Sequence, residues 1–387
     1  MKKAVVIGGS NGIGLAISRR LIDEGFFVQI LDCCEPSGEG ILEEGNYTYH
    51  YCNLLDLDED FLISVANDKN CSLLMITAGF GRIANFEFFH IAEIKKMITV
   101  NTTSTIQILR IFYNRIMDKS SFYCGVMGSI SGFLSSPSAA VYAASKAAIC
   151  RFIESVNIEL EESNIKNRIL NISPSSFKGS RFYGGQNQIE LLDDLAKEIL
   201  EHLFAFDDLF IPHYEELFKT VIERYHNNPH EYGIYSYEYK KQSGRLDNNR
   251  RVRIGYLSGT FDLFHIGHLN LLKRAKSQCD YLIVGVHDSG AWKGKETLIP
   301  LEERKQIVAS CKYVDKVVDS CREDSDAWAI WHFDKLFVGS DYKGTERFNR
   351  YEAYFQDKGV EIVYFPYTQS TSSTQIRKMI LLKTKSI

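Results

Sequence analysis

The sequence predicts an α/β protein with two parallel-sheet domains, the first of them doubly wound. Three observations lead to this prediction. A glycine-rich loop, Gly8–Gly14, follows the apolar run Ala4–Ile7, and a different loop, Gly259–His268, follows Ile254–Leu257. After each loop, short β-like runs alternate with longer segments of helical spacing, which is typical of a parallel sheet covered by helices. The 387 residues are also enough for two separate cores.

The first half of the chain contains five runs that predict buried strands. They are Val5–Ile7, Phe27–Leu31, Leu73–Ile76, Phe122–Val126 and Arg168–Ile172. Three segments between them have the spacing of amphipathic helices: Ile13–Glu24, Ile91–Met117 and Tyr142–Glu162. We expect the domain built from these elements to span residues 1–248.

Residues 181–248 have a different pattern and are predicted to cover the substrate of the first domain. They hold two helix-like stretches, Ile189–Phe206 and His213–His226, and then an aromatic, turn-rich piece, Asn227–Gly233. The polar and charged segment Gln242–Arg250 contains the expected domain boundary.

The second domain is predicted to span residues 249–387, with strands alternating with helices. Its strand candidates are Val252–Leu257, Tyr281–Val286, Lys335–Val338 and Glu361–Phe365. The two halves have different glycine signatures, so no internal repeat relates them.

Composition argues against several classes of function. With a formal net charge of −4 and 24% charged residues, the chain has no general attraction for nucleic acid or anionic membranes. No window approaches the ~20 apolar residues of a membrane span, and the apolar run after Lys2-Lys3 is too short for a signal peptide. The nine cysteines form no CxxC pair. We therefore expect reduced, buried thiols, a cytoplasmic location and no metal site.

The first loop predicts a dinucleotide site. Without Cβ atoms, Gly8, Gly12 and Gly14 let the backbone approach a pyrophosphate at a helix N-terminus. Asp32 ends the next predicted strand, where a carboxylate accepts hydrogen bonds from both ribose hydroxyls and repels a 2′-phosphate. Since positions 33 and 34 carry no Lys or Arg, NAD(H) is favoured over NADP(H).

A proton-transfer group follows farther along the chain. Tyr142 and Lys146 are four residues apart, so they lie on one face of a helix, where the ammonium can lower the pKa of the phenol. A phenol near neutrality can exchange the proton that accompanies hydride transfer to a carbonyl. Ser129 can hydrogen-bond the carbonyl oxygen. The YxxxK spacing alone is weak evidence, but with the glycine loop and Ser129 it predicts carbonyl reduction.

With these motifs, residues 1 to about 180 resemble the short-chain dehydrogenase/reductase family, which has a Rossmann-like fold. The TGxxxGIG loop of the family matches Ile7–Gly14 with Ile in place of Thr, and its NNAG strand end keeps only Ala-Gly. The resemblance implies cofactor contacts from one set of residues: Gly8, Ser10, Asn11, Gly12, Ile13, Gly14, Asp32, Asn53, Ala78, Gly79 and Pro174.

The resemblance also implies a catalytic tetrad of Asn101, Ser129, Tyr142 and Lys146. In it, Asn101 holds a water of a proton relay and Lys146 also binds the nicotinamide ribose. Two further positions depart from the family. Its adenine-contacting Asp is Asn53 here, and the Thr that positions the carboxamide is missing from Pro174–Ser180, where Ser180 can substitute.

The second loop predicts phosphate chemistry. His265 and His268 flank Gly267 at the start of the helical run Leu269–Lys276, so two imidazoles and a helix N-terminus can bind phosphate oxygens. A zinc site is the alternative, but HxGH supplies only two ligands. Downstream groups that suit phosphoryl transfer are Lys293, Lys295, Arg304 and the hydroxyls of Ser372, Ser373 and Thr374.

Residues 251–380 resemble the glycerol-3-phosphate cytidylyltransferase branch of the HxGH nucleotidyltransferases, also Rossmann-like. The GTFDxxHxGH element is intact, and the closing ISTT element matches Thr371–Thr374, although the preceding Arg-Thr-Glu-Gly reads Tyr367–Ser370. The resemblance implies catalysis by His265, His268, Lys293 and Arg304 with Mg²⁺ and CTP. It implies nucleotide contacts from Gly259, Thr260, Phe261, His265, His268, Lys295, Ser372, Ser373 and Thr374.

Together the halves predict a bifunctional oxidoreductase and nucleotidyltransferase. A keto- or aldose-phosphate is reduced to a polyol phosphate, which then reacts with CTP to give a CDP-polyol for teichoic-acid-like or capsular polymers. Candidate polyols are glycerol, ribitol, arabinitol and mannitol. Three alternatives stay open: a non-catalytic, dinucleotide-binding regulatory first domain, an adenylyltransferase, and two unrelated activities. Both resemblances imply a homo-oligomer, either a dimer or a tetramer.

Overall fold

The structure, a computed structural model, describes residues 2–36, 42, 45–175, 188–248, 252–289 and 297–366. The chain divides into two compact units, Met1–Arg250 and Arg251–Ile387. Each unit contains its own parallel sheet, which confirms the predicted fold class.

The first unit is a seven-stranded parallel sheet in the order β3-β2-β1-β4-β5-β6-β7. Its strands are β1 (Lys3–Ile7), β2 (Phe27–Asp32), β3 (Tyr47–Tyr51), β4 (Cys71–Ile76), β5 (Tyr123–Met127), β6 (Ile169–Ile172) and β7 (Leu209–Phe210). Its helices are α1 (Gly12–Asp23), α2 (Glu59–Ala66), α3 (Ile91–Ile98), α4 (Ser104–Ile116), α5 (Ala140–Glu162), α6 (Asp193–Ala205), α7 (Lys219–Asn227) and α8 (Pro229–Gln242).

Residues Ala4–Ile7 of strand β1 form an unbroken apolar run, because helices cover both faces of the sheet. Ala4 and Val6 join the core beneath α1 and α6, whereas Val5 and Ile7 join the core beneath α2, α4 and α5. The strand order reverses at β1, with β2 on one side and β4 on the other. The loop after β1 therefore opens at the crevice where open parallel sheets bind ligands.

The structure changes several details of the sequence prediction for this unit. The strands β3 and β7 and the helix α2 were not predicted. The expected helix Ile91–Met117 is α3 and α4 joined by one π-helical turn, Thr99–Thr103. The turn predicted at Asn227–Gly233 is wrong, since α8 begins at Pro229. Pro fits the first turn of a helix, where its missing N–H has no intrahelical partner.

The second unit is a five-stranded parallel sheet in the order β10-β9-β8-β11-β12. Its strands are β8 (Ile254–Gly259), β9 (Tyr281–Val286), β10 (Lys316–Asp319), β11 (Lys335–Gly339) and β12 (Glu361–Phe365). Its helices are α9 (Ile266–Lys276), α10 (Leu301–Ala309), α11 (Asp324–Trp331) and α12 (Glu346–Gln356). Helices α9 and α10 cover one face, and α11 and α12 cover the other.

The cysteines agree only in part with the expectation of buried thiols. All nine are free, and four of them are buried: Cys71, Cys124, Cys150 and Cys279. Cys33 and Cys34 are exposed, because they lie just beyond the end of β2. No helix in the described ranges is long and apolar enough to cross a membrane.

Candidate active sites

The loop between β1 and α1 needs glycine for two separate reasons. Gly8 has φ +85°, a left-handed conformation, and a Cβ there would lie 2.5 Å from the backbone nitrogen of Ala78. A Cβ on Gly14 would overlap the carbonyl oxygen of Gly8 and the hydroxyl of Thr77. The loop can therefore lie directly over the N-terminus of α1, which is where a pyrophosphate is expected.

Hydrogen bonds hold the Asp32 carboxylate beside the glycine loop, the arrangement expected of a dinucleotide site. The backbone N–H of Ser10 donates to Asp32 Oδ2 at 3.1 Å, and that of Cys33 donates to Oδ1 at 2.7 Å. The Oγ of Ser10 is buried and has no hydrogen-bond partner among the described residues. A buried hydroxyl without a partner is costly, so this atom fits an external acceptor such as a phosphate oxygen.

The other cofactor-contact candidates of the first unit occupy neighbouring loops. The N–H of Ala78 donates to the carbonyl of Ile7, which places the end of β4 beside the glycine loop. Asn53 Oδ1 accepts from the N–H of Leu55. The carbonyl of Pro174 accepts from the N–H of Ile130, one residue after Ser129.

Helix α5 brings Tyr142 and Lys146 to one side, and both are buried. The Lys146 ammonium lies 5.9 Å from the centroid of the Tyr142 ring and donates to the carbonyl of Met127 at 2.7 Å. Burial lowers the pKa of Lys146 to about 8. A buried cation beside the phenol favours the phenolate, which is the electrostatic condition for proton transfer.

Asn101 lies in the π-helical turn between α3 and α4, directly beside this pair. Its side chain accepts from the N–H of Phe80 at 3.0 Å, and donates to the carbonyl of Phe80 at 2.8 Å and to Ser145 Oγ at 3.0 Å. A Cβ on Gly79 would lie 3.2 Å from Asn101 Oδ1 and 3.4 Å from Lys146 Nζ. The turn therefore positions Asn101 at the end of β4, and its role in a water relay stays a prediction.

A cavity of about 180 Å³ opens beside Tyr142. Residues 130–139 and the loop after β4 form part of its wall, and α8 supplies Tyr232, Tyr239 and Lys240. Ser129 borders this region, and its Oγ accepts from the N–H of Ser131 at 3.2 Å. The cavity therefore lies next to the Tyr142 side chain. The sequence prediction missed Lys240 as a lining residue, because it missed α8.

In the second unit the two histidines stack at the N-terminus of α9. Their ring centroids are 4.0 Å apart. The N–H of Gly267 donates to His265 Nδ1 at 3.0 Å, and the N–H of His265 donates to His268 Nδ1 at 3.4 Å. Because both Nδ1 atoms accept, a neutral ring carries its proton on Nε2 and offers it to a ligand. Burial lowers the pKa of both rings, that of His268 to about 4, with a further contribution from His265.

The turn before the histidines is strained. Phe261 has φ +52° and Leu263 has φ +50°, a conformation that is uncommon for side-chain-bearing residues and is concentrated at functional sites. Asp262 between them is buried and accepts from the N–H groups of Leu298 and Ile299. The GTFD segment thus fixes the direction in which α9 begins.

Arg304 has different partners from the phosphate contact that we expected. It is fully buried, and its guanidinium donates to four backbone carbonyls, those of Thr260, His287, Asp288 and Ile299. These carbonyls belong to the loops after β8 and β9 and to the approach to α10. In this arrangement Arg304 holds the loops of the site in place.

The remaining candidates of the second unit are Lys293, Lys295, Ser372, Ser373 and Thr374. They lie outside the described residues, and their roles stay predictions.

Comparison with known proteins gives both units a family. Residues 2–184 match the family model of short chain dehydrogenases, and residues 256–379 match that of cytidylyltransferase-like proteins. Glycerol-3-phosphate cytidylyltransferase of Bacillus spizizenii is 36% identical over 124 residues, which are 31% of this chain and 91% of that protein. The chain belongs to the cytidylyltransferase-like family. Its first unit is a short-chain dehydrogenase domain, so the protein is a bifunctional enzyme with an oxidoreductase domain and a nucleotidyltransferase domain.

Each unit is also similar to a further known protein. Glycerol-3-phosphate cytidylyltransferase of Staphylococcus aureus is 32% identical over 124 residues, covering 31% of this chain and 89% of that protein. Among solved structures, an alcohol dehydrogenase from the archaeon Thermococcus sibiricus, complexed with 5-hydroxy-NADP, has a TM-score of 0.48 and 20% identity. That similarity covers 55% of this chain and 95% of the archaeal one.

Proposed function

We propose that the first unit reduces a keto- or aldose-phosphate to a polyol phosphate, and that the second unit converts this product with CTP into a CDP-polyol and pyrophosphate. The observation that carries the proposal is the presence of both sets of groups on one chain. Tyr142, Lys146 and Asn101 meet in the dehydrogenase domain, and His265 and His268 stack in a domain whose relatives are named for cytidylyl transfer to glycerol 3-phosphate.

In the first unit, a nicotinamide supplies the hydride when it is bound. The carbonyl carbon accepts that hydride, and the oxygen takes the proton of the Tyr142 hydroxyl, so the carbonyl becomes an alcohol. Lys146 stabilises the resulting phenolate through its charge. Ser129 orients the carbonyl oxygen by donating a hydrogen bond.

In the second unit, a phosphate oxygen of the polyol phosphate attacks the α-phosphorus of CTP, and the bond to pyrophosphate breaks. Negative charge builds on the phosphoryl oxygens during this exchange, and the Nε2–H groups of His265 and His268 stabilise it. The N-terminus of α9 contributes its dipole to the same oxygens. Mg²⁺ enters with CTP, because it binds chiefly through substrate phosphates and water.

The expected cofactor is NAD(H). Asp32 already accepts from Ser10 and Cys33, and its carboxylate lies where the ribose hydroxyls of a bound dinucleotide are expected. A 2′-phosphate there would meet a negative charge, and no Lys or Arg stands at positions 33 and 34 to bind it. Initial rates with NADH and NADPH test this preference, and a higher kcat/KM for NADPH would contradict it.

The polyol is one of glycerol, ribitol, arabinitol and mannitol phosphates, and we place the product in the synthesis of teichoic-acid-like or capsular polymers. We also propose that the enzyme acts as a homo-oligomer in the cytoplasm. Residues 181–248 then contribute to the substrate pocket of each first unit, in agreement with the position of α8 beside the cavity.

The test is to incubate the full chain with NADH, CTP, Mg²⁺ and a panel of triose, pentose and hexose phosphates, and to look for a CDP-alcohol by mass spectrometry. Tyr142→Phe should lower carbonyl reduction roughly 10²–10⁴-fold, and His268→Ala should lower pyrophosphate release roughly 10²–10³-fold. Each variant is the control for the other, because it should keep the other activity. Pyrophosphate release with no NADH oxidation on any substrate would instead make the first unit a regulator.

A further inference from the structure

The cavity beside Tyr142 has a cationic end that the dehydrogenase chemistry does not use. On the side of α8 it is lined by Lys240 in the last turn of the helix and by Arg245 just beyond the helix end. Gly244 has φ +66°, and the backbone N–H of Arg245 donates to the carbonyl of Lys240 at 3.2 Å while that of Gly244 donates to Lys241 at 3.3 Å. This is the Schellman pattern of a helix C-terminus, and it brings the backbone of Arg245 beside that of Lys240.

Lys240 is held in place with one donor left over. Its ammonium donates to Ser136 Oγ and to the carbonyl of Pro137, both at 2.7 Å. An ammonium has three N–H donors, and in the described part of the chain the third has no acceptor and the charge has no carboxylate within ion-pair distance. Burial, together with the nearby charge of Arg245, lowers the pKa of Lys240 to about 8. A half-buried cation in this position is stabilised when an anion binds beside it.

The third cation of the cavity is different. Arg82 is buried, but it is neutralised by Glu93 at 2.9 Å and also donates to the carbonyl of Asp247. Arg245 is exposed, with its guanidinium 5.5 Å from the centroid of the Tyr239 ring, and no carboxylate of the described residues pairs with it. Positive charge available to a ligand is therefore concentrated at Lys240 and Arg245.

The position of this pair is fixed by the rest of the first unit. Asp247 N donates to the carbonyl of Ile83 at 2.7 Å, and Asn85 N donates to Asn248 Oδ1 at 3.0 Å. These bonds attach the segment after α8 to the loop that follows β4. The cationic pair therefore lines the same cavity as Tyr142 and has a defined place relative to it.

We propose that Lys240 and Arg245 form the phosphate subsite of the reductase pocket and select a phosphorylated carbonyl compound over its unphosphorylated form. The phosphate dianion binds between the ammonium and the guanidinium, and the carbonyl end of the same molecule reaches Tyr142. This inference rests on the proposed reductase function, and it names the residues that choose the substrate class.

The first test is kinetic and uses Lys240→Gln, Arg245→Gln and the double variant, with Lys241→Gln as the matched control on the next position of α8. For a sugar phosphate that the wild type reduces, KM should rise roughly tenfold to hundredfold for each lost charge-assisted contact, with kcat at saturation retained. For the unphosphorylated sugar, kcat/KM should not change. Lys241→Gln should behave as the wild type.

A conservative variant distinguishes the effect of the Lys240 charge from that of its hydrogen bonds to Ser136 and Pro137. Lys240→Arg keeps the cation and should retain most of the preference for the phosphorylated compound. Equal loss of that preference in Lys240→Arg and Lys240→Gln would overturn the proposal, since it would mean that only the contacts with Ser136 and Pro137 matter.

The second test does not need turnover. Calorimetric titration of the full chain with inorganic phosphate compares the wild type, the double variant and Lys241→Gln, so any phosphate binding by the second unit is common to all three. Binding that is lost only in the double variant supports the subsite even if no carbonyl compound is reduced. Identical binding and identical KM in the double variant and the wild type would overturn the subsite while leaving the reductase function intact.

Discussion

The histidine pair shows how single residues prepare the second site. His268 accepts a backbone N–H through Nδ1. Burial lowers its pKa to about 4, so the folded ring stays uncharged at pH values well below 7. The unfolded ring takes up a proton near pH 6.5. Between these two pH values the unfolded chain binds more protons than the folded one, so the free energy of unfolding falls as the pH decreases through this window and is unaffected above it.

This linkage gives a prediction for His268→Gln. Between pH 6.5 and 5, the wild-type second unit should lose about 1–2 kcal/mol more unfolding free energy than the variant. Denaturant titrations followed by tryptophan fluorescence measure this, because all three tryptophans, Trp292, Trp328 and Trp331, belong to the second unit. Equal losses in the two proteins would show that His268 is not held neutral.

At the scale of elements, Arg304 connects α10 with the loops that follow β8 and β9. Its four hydrogen bonds to carbonyls need a planar fork, which a lysine ammonium with three donors cannot reproduce. Arg304→Lys should therefore lower the unfolding free energy of the second unit by about 3 kcal/mol or more. Arg274→Lys is the control, since Arg274 is exposed and has one long bond to Pro366. If Arg304→Lys is as stable as this control, Arg304 does not hold the loops of the second site in place.

Two elements that the sequence did not predict, α8 and β10, have weak apolar patterns. No residue of α8 is buried, so it has no apolar stripe to reveal it. Its local signals were present, since Asn228 caps the helix through the N–H of Glu231 and Gly244 follows its end. Strand β10 is a four-residue edge strand with no buried residue, whereas the predicted strands in the sheet centres have continuous apolar runs.

At the scale of the whole molecule, the predictable residues are those whose partners are near in sequence. The glycine loop and the Tyr142–Lys146 pair follow from spacing along one loop or one helix. The phosphate subsite does not, because Lys240 and Ser136 are 104 positions apart and meet only after the unit has folded. The carbonyl partners of Arg304 were not predictable for a related reason, since a sequence shows that a cation is present but not which way it points, and its role toward phosphate stays a prediction.

The two units have separate cores and should respond to different ligands. A ligand stabilises the folded form that binds it, by about 2.7 kcal/mol when its concentration is one hundred times the Kd. NADH should therefore raise the melting temperature of the first unit, and CTP with Mg²⁺ that of the second. Tryptophan fluorescence reports the unfolding of the second unit alone, and calorimetry reports that of both units.

Replacing Gly14 with Val should abolish the response to NADH and leave the response to CTP, because the Cβ of the new side chain would overlap Gly8 and Thr77. A CTP response lost in Gly14→Val would mean that the two ligands do not act on separate units.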